Sequence, residues 1–186
     1  MSSLKLLISD RSIRQKLKKI AKQLHVDYQG EEVALIMVMK GAICLVADLM
    51  RFLKFTTTLE CVSASSYGAR GTERGDLLVT GLANGAFENK HILVVDDVYH
   101  SGHTLSYIVS ELKKQPVKSV KSLVLLLKDI PRDISYVPDY FLFKIGDPFV
   151  VGYGMDYKEH YRGLPGIYIY TQSQNLSGHG IDKNPL

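Results

Sequence analysis

The stretch His91–Thr104 (HILVVDDVYHSGHT) constrains the fold more than any other. Its apolar run Ile92–Val95 predicts a buried strand, because strands covered on both faces read as continuous Val/Ile/Leu rather than as alternation. Two carboxylates, Asp96 and Asp97, follow where that strand is expected to end. A short hydroxyl-rich loop, Tyr99–Thr104 with Gly102, comes next, and the period Leu105, Ile108, Val109, Leu112 then predicts a helix. Strand, acidic pair, small polar loop and helix start is a way for an α/β protein to build a sugar-phosphate site: helix N-terminal N–H groups receive phosphate, and carboxylates at a strand end face hydroxyls or a metal. The same pattern also suits a plain βα turn in which Asp and Ser only cap the helix.

The remaining chain supplies companions for that unit. Ser9–His25 carries Ile13, Leu17, Ile20, Ala21 and Leu24 at helical period, with Ser9 or Asp10 as cap. Val33–Met39 predicts a second buried strand, broken at Lys40-Gly41-Ala42, and Ile43–Leu53 resumes with helical period. Leu59–Ser65, Val120–Leu127, Tyr140–Ile145, Phe149–Val151 and Ile167–Tyr170 complete the expected strands. Alternating strands and helices give an α/β fold, a central parallel sheet flanked by helices. The glycine-rich stretch Gly68–Gly85, apolar only at Leu77–Thr80, predicts a flexible β-hairpin flap, and the residues after Tyr170 a polar tail.

A length of 186 residues suits a single domain spanning 1–186, with a core at about 30–170, the flap at about 66–86 and the tail at 171–186. Without an h-region at the N-terminus or an apolar run near ~20 residues, a cytoplasmic protein without a membrane partner is expected. Cys44 and Cys61 read as buried free thiols. The net charge of +4 rests on lysine clusters that read as solvated helix faces, so nucleic acid is not the expected partner.

Several strand ends carry distinctive residues: Lys40-Gly41, Asp96-Asp97 with His100–Thr104, and Lys128; Asp156 and Arg162 lie in a later polar segment. Each alone can be a solvated end or turn former. Ligands of open α/β sheets bind beyond the carboxyl ends of the strands. Convergence at one sheet edge therefore favours a site.

These residues resemble a known family. VVDDVYHSGHT is similar to the phosphoribosyl-diphosphate motif of the type I phosphoribosyltransferases. Lys40-Gly41, Ser66-Tyr67, Lys128 with Pro131-Arg132, and DPFVVGYGMDYKEHYRGLPGIY together resemble the hypoxanthine/guanine phosphoribosyltransferases, in order from Val33 to Tyr170. The resemblance implies the type I fold with a small hood, and Mg2+-dependent transfer from phosphoribosyl diphosphate to a 6-oxopurine base (hypoxanthine and/or guanine), giving IMP or GMP. It further implies a homodimer or homotetramer with the Lys40 loop near an interface. Position by position, His100, Ser101, Gly102, His103 and Thr104 should wrap the 5′-phosphate, with Asp96 and Asp97 beside the ribose. Lys40, Gly41 and Arg162, with Ser66 and Tyr67 of the flap, should hold the diphosphate. Lys128 should reach purine O6, Phe149 stack on the base and the Val150 backbone read its edge. Asp156 should ligate magnesium. In this family the peptide before the loop lysine, here Met39–Lys40, can be cis.

One position departs from the family pattern. Its purine transferases usually place an Asp at the start of the phosphate loop to accept the proton of purine N7, and here that residue is His100. Imidazole can accept a proton as well, so His100 is read as a substitute general base; a phosphate-loop residue with little catalytic role is the other reading. The loop is also similar to that of pyrimidine-operon regulators of the same fold, which lack that Asp. A nucleotide- and RNA-binding regulator is thus the alternative function, opposed by Lys128 and the GYGMDYKEHYRGLPG segment.

Overall fold

The chain was described from a computed structural model covering residues 3–66, 77–81 and 87–172. It opens with strand β1 (Ser3–Ile8), and Ser9 then caps helix α1 (Asp10–Tyr28) by accepting the Ser12 N–H at 3.2 Å. Strand β2 (Val33–Met39), helix α2 (Ile43–Met50), strand β3 (Thr57–Ser66) and strand β4 (Leu77–Thr80) follow. Strand β5 (His91–Tyr99), helix α3 (His103–Lys113), strand β6 (Ser119–Lys128), strand β7 (Tyr140–Ile145), strand β8 (Val150–Val151) and strand β9 (Ile167–Thr171) complete the order.

The main sheet has the order β4-β3-β2-β5-β6-β7, parallel from β3 to β7, with β4 antiparallel at the edge. Its faces follow the strand alternation. Val33, Leu35, Met37, Leu93 and Val95 pack with the apolar face of α1 (Ile13, Leu17, Leu24) and with α2. Ala34, Ile36, Val38, Ile92 and Val94 pack under Leu105, Ile108, Val109 and Leu112 of α3. A separate antiparallel sheet, β1-β9-β8, forms the hood. The expected parallel sheet with helices on both faces is what the chain forms.

Four expectations are corrected. The central strand does not end at Val95. β2 leaves β5 there, but β6 stays paired as far as Tyr99↔Leu127, so Asp96 and Asp97 lie inside β5 on an edge that has lost one neighbour. Helix α3 begins at His103, two residues before the apolar period, and Gly102 takes the N-cap position at φ 88. Cys61 is exposed on β3, where Val62 is the only buried residue among the described side chains, and Cys44, on the first turn of α2, is half-buried. The strand β1 was not expected at all. Of the flap, residues 67–76 and 82–86 lie outside the described residues, as does the tail from residue 173.

Candidate active site

Three loops meet at the carboxyl ends of β2, β5 and β6. The first is the turn between β2 and α2, where the Met39–Lys40 peptide is cis. A Cβ added at Gly41 would collide with the Asp97 carboxylate, so only glycine lets that turn lie against β5. Asp97 is itself held, its Oδ1 accepting the Val98 N–H at 2.8 Å. Gly154, at φ 101, packs in turn against the Gly41 carbonyl and brings the segment after β8 into the same stack.

That segment carries the predicted diphosphate and metal residues. Arg162 Nη1 donates to the Gly154 carbonyl at 2.8 Å, while Nη2 lies 2.8 Å from Asp156 Oδ1 and 3.1 Å from Glu159 Oε2. Glu159 Oε1 lies 3.2 Å from Lys40 Nζ. Lys40, Gly41, Asp156 and Arg162 are therefore brought together, with Glu159 between the two cations. The Arg162 and Lys40 partners hold the Glu159 carboxyl below its ordinary range.

The second loop runs from β5 into α3. Asp96, Asp97, His100, Ser101, Gly102 and Thr104 line a cavity of 260 Å³ at the helix N-terminus, where the first-turn N–H groups lack intrahelical partners. Burial above all, and then the neighbouring Asp97 charge, push the Asp96 carboxyl well above the usual carboxylate range. Tyr99 packs beneath this loop with its hydroxyl donating to the Tyr136 carbonyl, and leaves no room for a Cβ at Gly102. His103 faces outward to Asp133, with Nε2 3.6 Å from Oδ1.

The third loop follows β6. Arg132 fastens it to the second: Nε donates to the His100 carbonyl at 2.7 Å, Nη2 donates to the Lys128 carbonyl, and the guanidinium sits 4.8 Å from the Tyr99 ring centre. Lys128 is only 5% exposed, and its Nζ donates to the Pro148 carbonyl and pairs with Asp147 Oδ1 at 3.2 Å. Val98, His100, Lys128, Asp147, Pro148, Phe149 and Val150 enclose a second cavity of 380 Å³. Phe149 stands edge-on to Tyr157 and Tyr170 and is 53% exposed, so one apolar ring is open to a ligand. The two cavities share Val98 and His100, so a ligand bridging them passes His100.

The predicted residues thus gather around these loops with three exceptions: His103 turns outward to Asp133 instead of lining the phosphate cavity, the Ser66 backbone only closes β3, and Tyr67 lies outside the described residues. Arg132 was quoted in the motif without a role, and Asp147 and Glu159 without one either. Their roles come from partners 32, 19 and 119 residues away, which no local pattern reveals.

Among the described residues no group of three or more His, Cys, Asp or Glu could cage a metal. Asp156 offers one carboxylate, its oxygens engaged by Arg162 and by the Glu159 N–H at 2.7 Å. One hard oxygen donor completed by substrate phosphates and water is a set that Mg2+ accepts. The residues therefore fit an ion that arrives on a diphosphate.

A family model described as "Phosphoribosyl transferase domain" matches residues 8–158. The hypoxanthine-guanine phosphoribosyltransferase of Bacillus subtilis is 36% identical over 88% of this chain and 91% of that protein. The bifunctional protein TilS/HprT of Listeria innocua is 34% identical over 89% of this chain, which spans only 26% of that longer protein. A crystal structure of a hypoxanthine-guanine phosphoribosyltransferase from Bacillus anthracis superposes with a TM-score of 0.84 at 33% identity, covering 92% of this chain and 100% of that one.

Proposed function

This chain belongs to the phosphoribosyl transferase family, and from that premise we propose that it moves the 5-phosphoribosyl group of phosphoribosyl diphosphate onto a 6-oxopurine, hypoxanthine or guanine, in purine salvage. The observation that carries the reading is the buried Lys128 at one end of an apolar cavity whose other end opens, past His100, onto the α3 N-terminus. The relatives bear purine-transferase names, which does not favour the regulator alternative.

Each residue has a role in that reaction. The N-terminus of α3, with Ser101, Gly102 and Thr104, receives the 5′-phosphate, and Asp96 and Asp97 face the ribose hydroxyls. Lys128 donates to O6. A 6-amino purine would present donor to donor, so the lysine selects the oxo form. Phe149 stacks on the base, and Val150, 7% exposed beside it, reads its edge through the backbone. Breaking the C1–oxygen bond leaves positive charge on the sugar and negative charge on the diphosphate, and Lys40 and Arg162 stabilise the latter. Mg2+, held by Asp156 and the diphosphate oxygens, would supply further charge neutralisation there. His100 accepts the N7 proton of the base.

A homo-oligomer and a cytoplasmic location belong to the same proposal. Met39, Ile43 and Leu59 are exposed apolar residues, and Met39, Leu59 and Cys61 lie on the same sheet face as Leu35 and Met37, where they remain exposed beside the helices that pack on that face. No helix among the described residues is long and apolar enough to cross a membrane.

The test is a spectrophotometric assay with phosphoribosyl diphosphate, Mg2+ and each of hypoxanthine, guanine, xanthine and uracil. Turnover with hypoxanthine or guanine is expected. Turnover with uracil alone would overturn the reading.

A further inference from the structure

We propose that Glu159 is a built-in stand-in for diphosphate: its carboxylate sits between Lys40 and Arg162, where the diphosphate of substrate and product binds, so that loading and release exchange one anion for another. The inference rests on the reading of Lys40 and Arg162 as the diphosphate cations.

The geometry is that of a bridging anion. One Glu159 oxygen lies 3.2 Å from Lys40 Nζ, and the other lies 3.1 Å from Arg162 Nη2 and 3.4 Å from Arg162 Nε. Two cations from loops far apart in sequence therefore share two oxygens of one acid. Among the described residues Glu159 is the ion-pair partner of Lys40, whereas Arg162 keeps Asp156 and the Gly154 carbonyl as further partners. Removing the Glu159 carboxylate thus frees the lysine outright and leaves the arginine in place.

The backbone gives a second, independent reason to single out this residue. Tyr157 and His160 exchange N–H···O bonds at 3.1 and 3.0 Å, so Lys158 and Glu159 are the two central residues of a tight turn. Both have positive φ, 51° and 65°, the conformation for which such turns ordinarily use Asn-Gly. A long acidic side chain at the position best suited to glycine is strained, and strain of this kind gathers at functional sites. The turn delivers the Glu159 carboxylate to Lys40 and its own N–H to Asp156 Oδ2 at 2.7 Å.

The exchange is also energetically feasible. The Lys40 and Glu159 side chains are 61% and 65% exposed, and exposed pairs are weak. A diphosphate carries several charges and can outcompete a single carboxylate, while the carboxylate keeps both cations compensated between turnovers.

The experiment compares the full-length protein with its Glu159→Gln and Glu159→Gly variants, the second suited to the left-handed backbone should the first perturb the turn. Diphosphate binding with Mg2+ is measured by calorimetry, and KM for phosphoribosyl diphosphate and for hypoxanthine by steady-state assay. Both variants should bind diphosphate roughly three- to tenfold more tightly, the scale set by losing weak exposed pairs. KM for phosphoribosyl diphosphate should fall while that for hypoxanthine holds. Diphosphate binding unchanged or weaker in either variant overturns the inference. Parent turnover with hypoxanthine alongside unchanged binding would sink the Glu159 role alone. Tighter binding in both variants with no parent turnover on any 6-oxopurine would leave that role standing and sink the enzymatic reading.

Discussion

His100 Nε2 and Asp147 Oδ1 lie 3.4 Å apart, and that same carboxylate oxygen lies 3.2 Å from Lys128 Nζ. One acid thus links the residue proposed to take the N7 proton to the residue proposed to hold O6. An N–H given by Nε2 to Asp147 leaves Nδ1 as the acceptor on the ring, the tautomer a base in this position needs.

If His100 is that base, His100→Ala lowers kcat by roughly 10²-fold, the usual scale of general-base help. His100→Asp then retains or raises activity, since a carboxylate accepts the same proton. Both are read from steady-state kcat with saturating hypoxanthine; an unchanged rate in His100→Ala would dismiss the role and leave His100 as a loop residue.

Lys128 governs a different property. Lys128→Met keeps most of the buried apolar stem but loses the donor, so kcat/KM for hypoxanthine should drop by about 10- to 100-fold, the range of a hydrogen bond from a charged group. The loss should be smaller for adenine, which gains nothing from the ammonium. Comparing the two bases in the same variant separates lost recognition from lost folding, because misfolding would reduce both alike.

How much of this could be read from the chain depends on where each signal resides. The β2 strand, Val33–Met39, and the β7 strand, Tyr140–Ile145, have the bounds their apolar runs predict; in β2 the cause is burial on both faces, whereas β7 is an edge strand on which only Leu142 is buried. The β1 strand gave no such signal: five of its six residues are exposed, and it exists through pairing with β9 at the far end of the chain. The persistence of β5 beyond Val95 likewise depends on its β6 neighbour and not on its own composition. In the site, Lys40-Gly41, Asp96-Asp97, His100–Thr104 and Lys128 stood out because each follows an apolar run, whereas Asp156, Arg162, Phe149 and Val150 took their roles from the family resemblance. Asp147, Arg132 and Glu159 were not legible, since each matters through a contact made by another loop.

Gly41 tests the close packing of that site. In Gly41→Ala the new methyl group meets the Asp97 carboxylate, which is tied to the Val98 N–H and cannot turn away freely. Overpacking of this kind costs about 1–3 kcal/mol. Thermal unfolding should shift down accordingly, and KM for phosphoribosyl diphosphate should rise because Asp97 and Lys40 are both displaced. A variant with the parent's melting temperature and KM would show that the turn has slack.

Asp96 sets a pH dependence of stability. Burial raises its carboxyl above the ordinary 3.8, so the folded protein holds this proton more tightly than the unfolded chain. Stability from this group is therefore fully present below the unfolded value and falls as pH rises toward the raised folded value. Asp27, whose carboxyl is held below its ordinary value, works in the opposite direction and is lost on acidification. The difference between Asp96→Asn and the parent isolates the first effect, since the amide oxygen can still accept the Asp97 N–H. The variant should gain melting temperature relative to the parent as pH rises above the ordinary carboxylate value, by about 2–4 °C for each kcal/mol. A difference that stays flat with pH would mean Asp96 ionises as freely folded as unfolded.

Asp156 is the position where metal and arginine compete. Its Oδ1 lies 2.8 Å from Arg162 Nη2 and its other oxygen accepts the Glu159 N–H, so an ion bound there must share or displace the arginine. In Asp156→Ala the arginine loses one of its two carboxylate partners and keeps Glu159. The variant should need more Mg2+ to reach half-maximal diphosphate binding, while diphosphate binding without added metal changes little, because Lys40 and Arg162 remain. Calorimetric titration of diphosphate with and without Mg2+ separates the two terms. Mg2+ dependence equal to the parent's would remove Asp156 as the metal's protein ligand and leave it as the residue that orients Arg162.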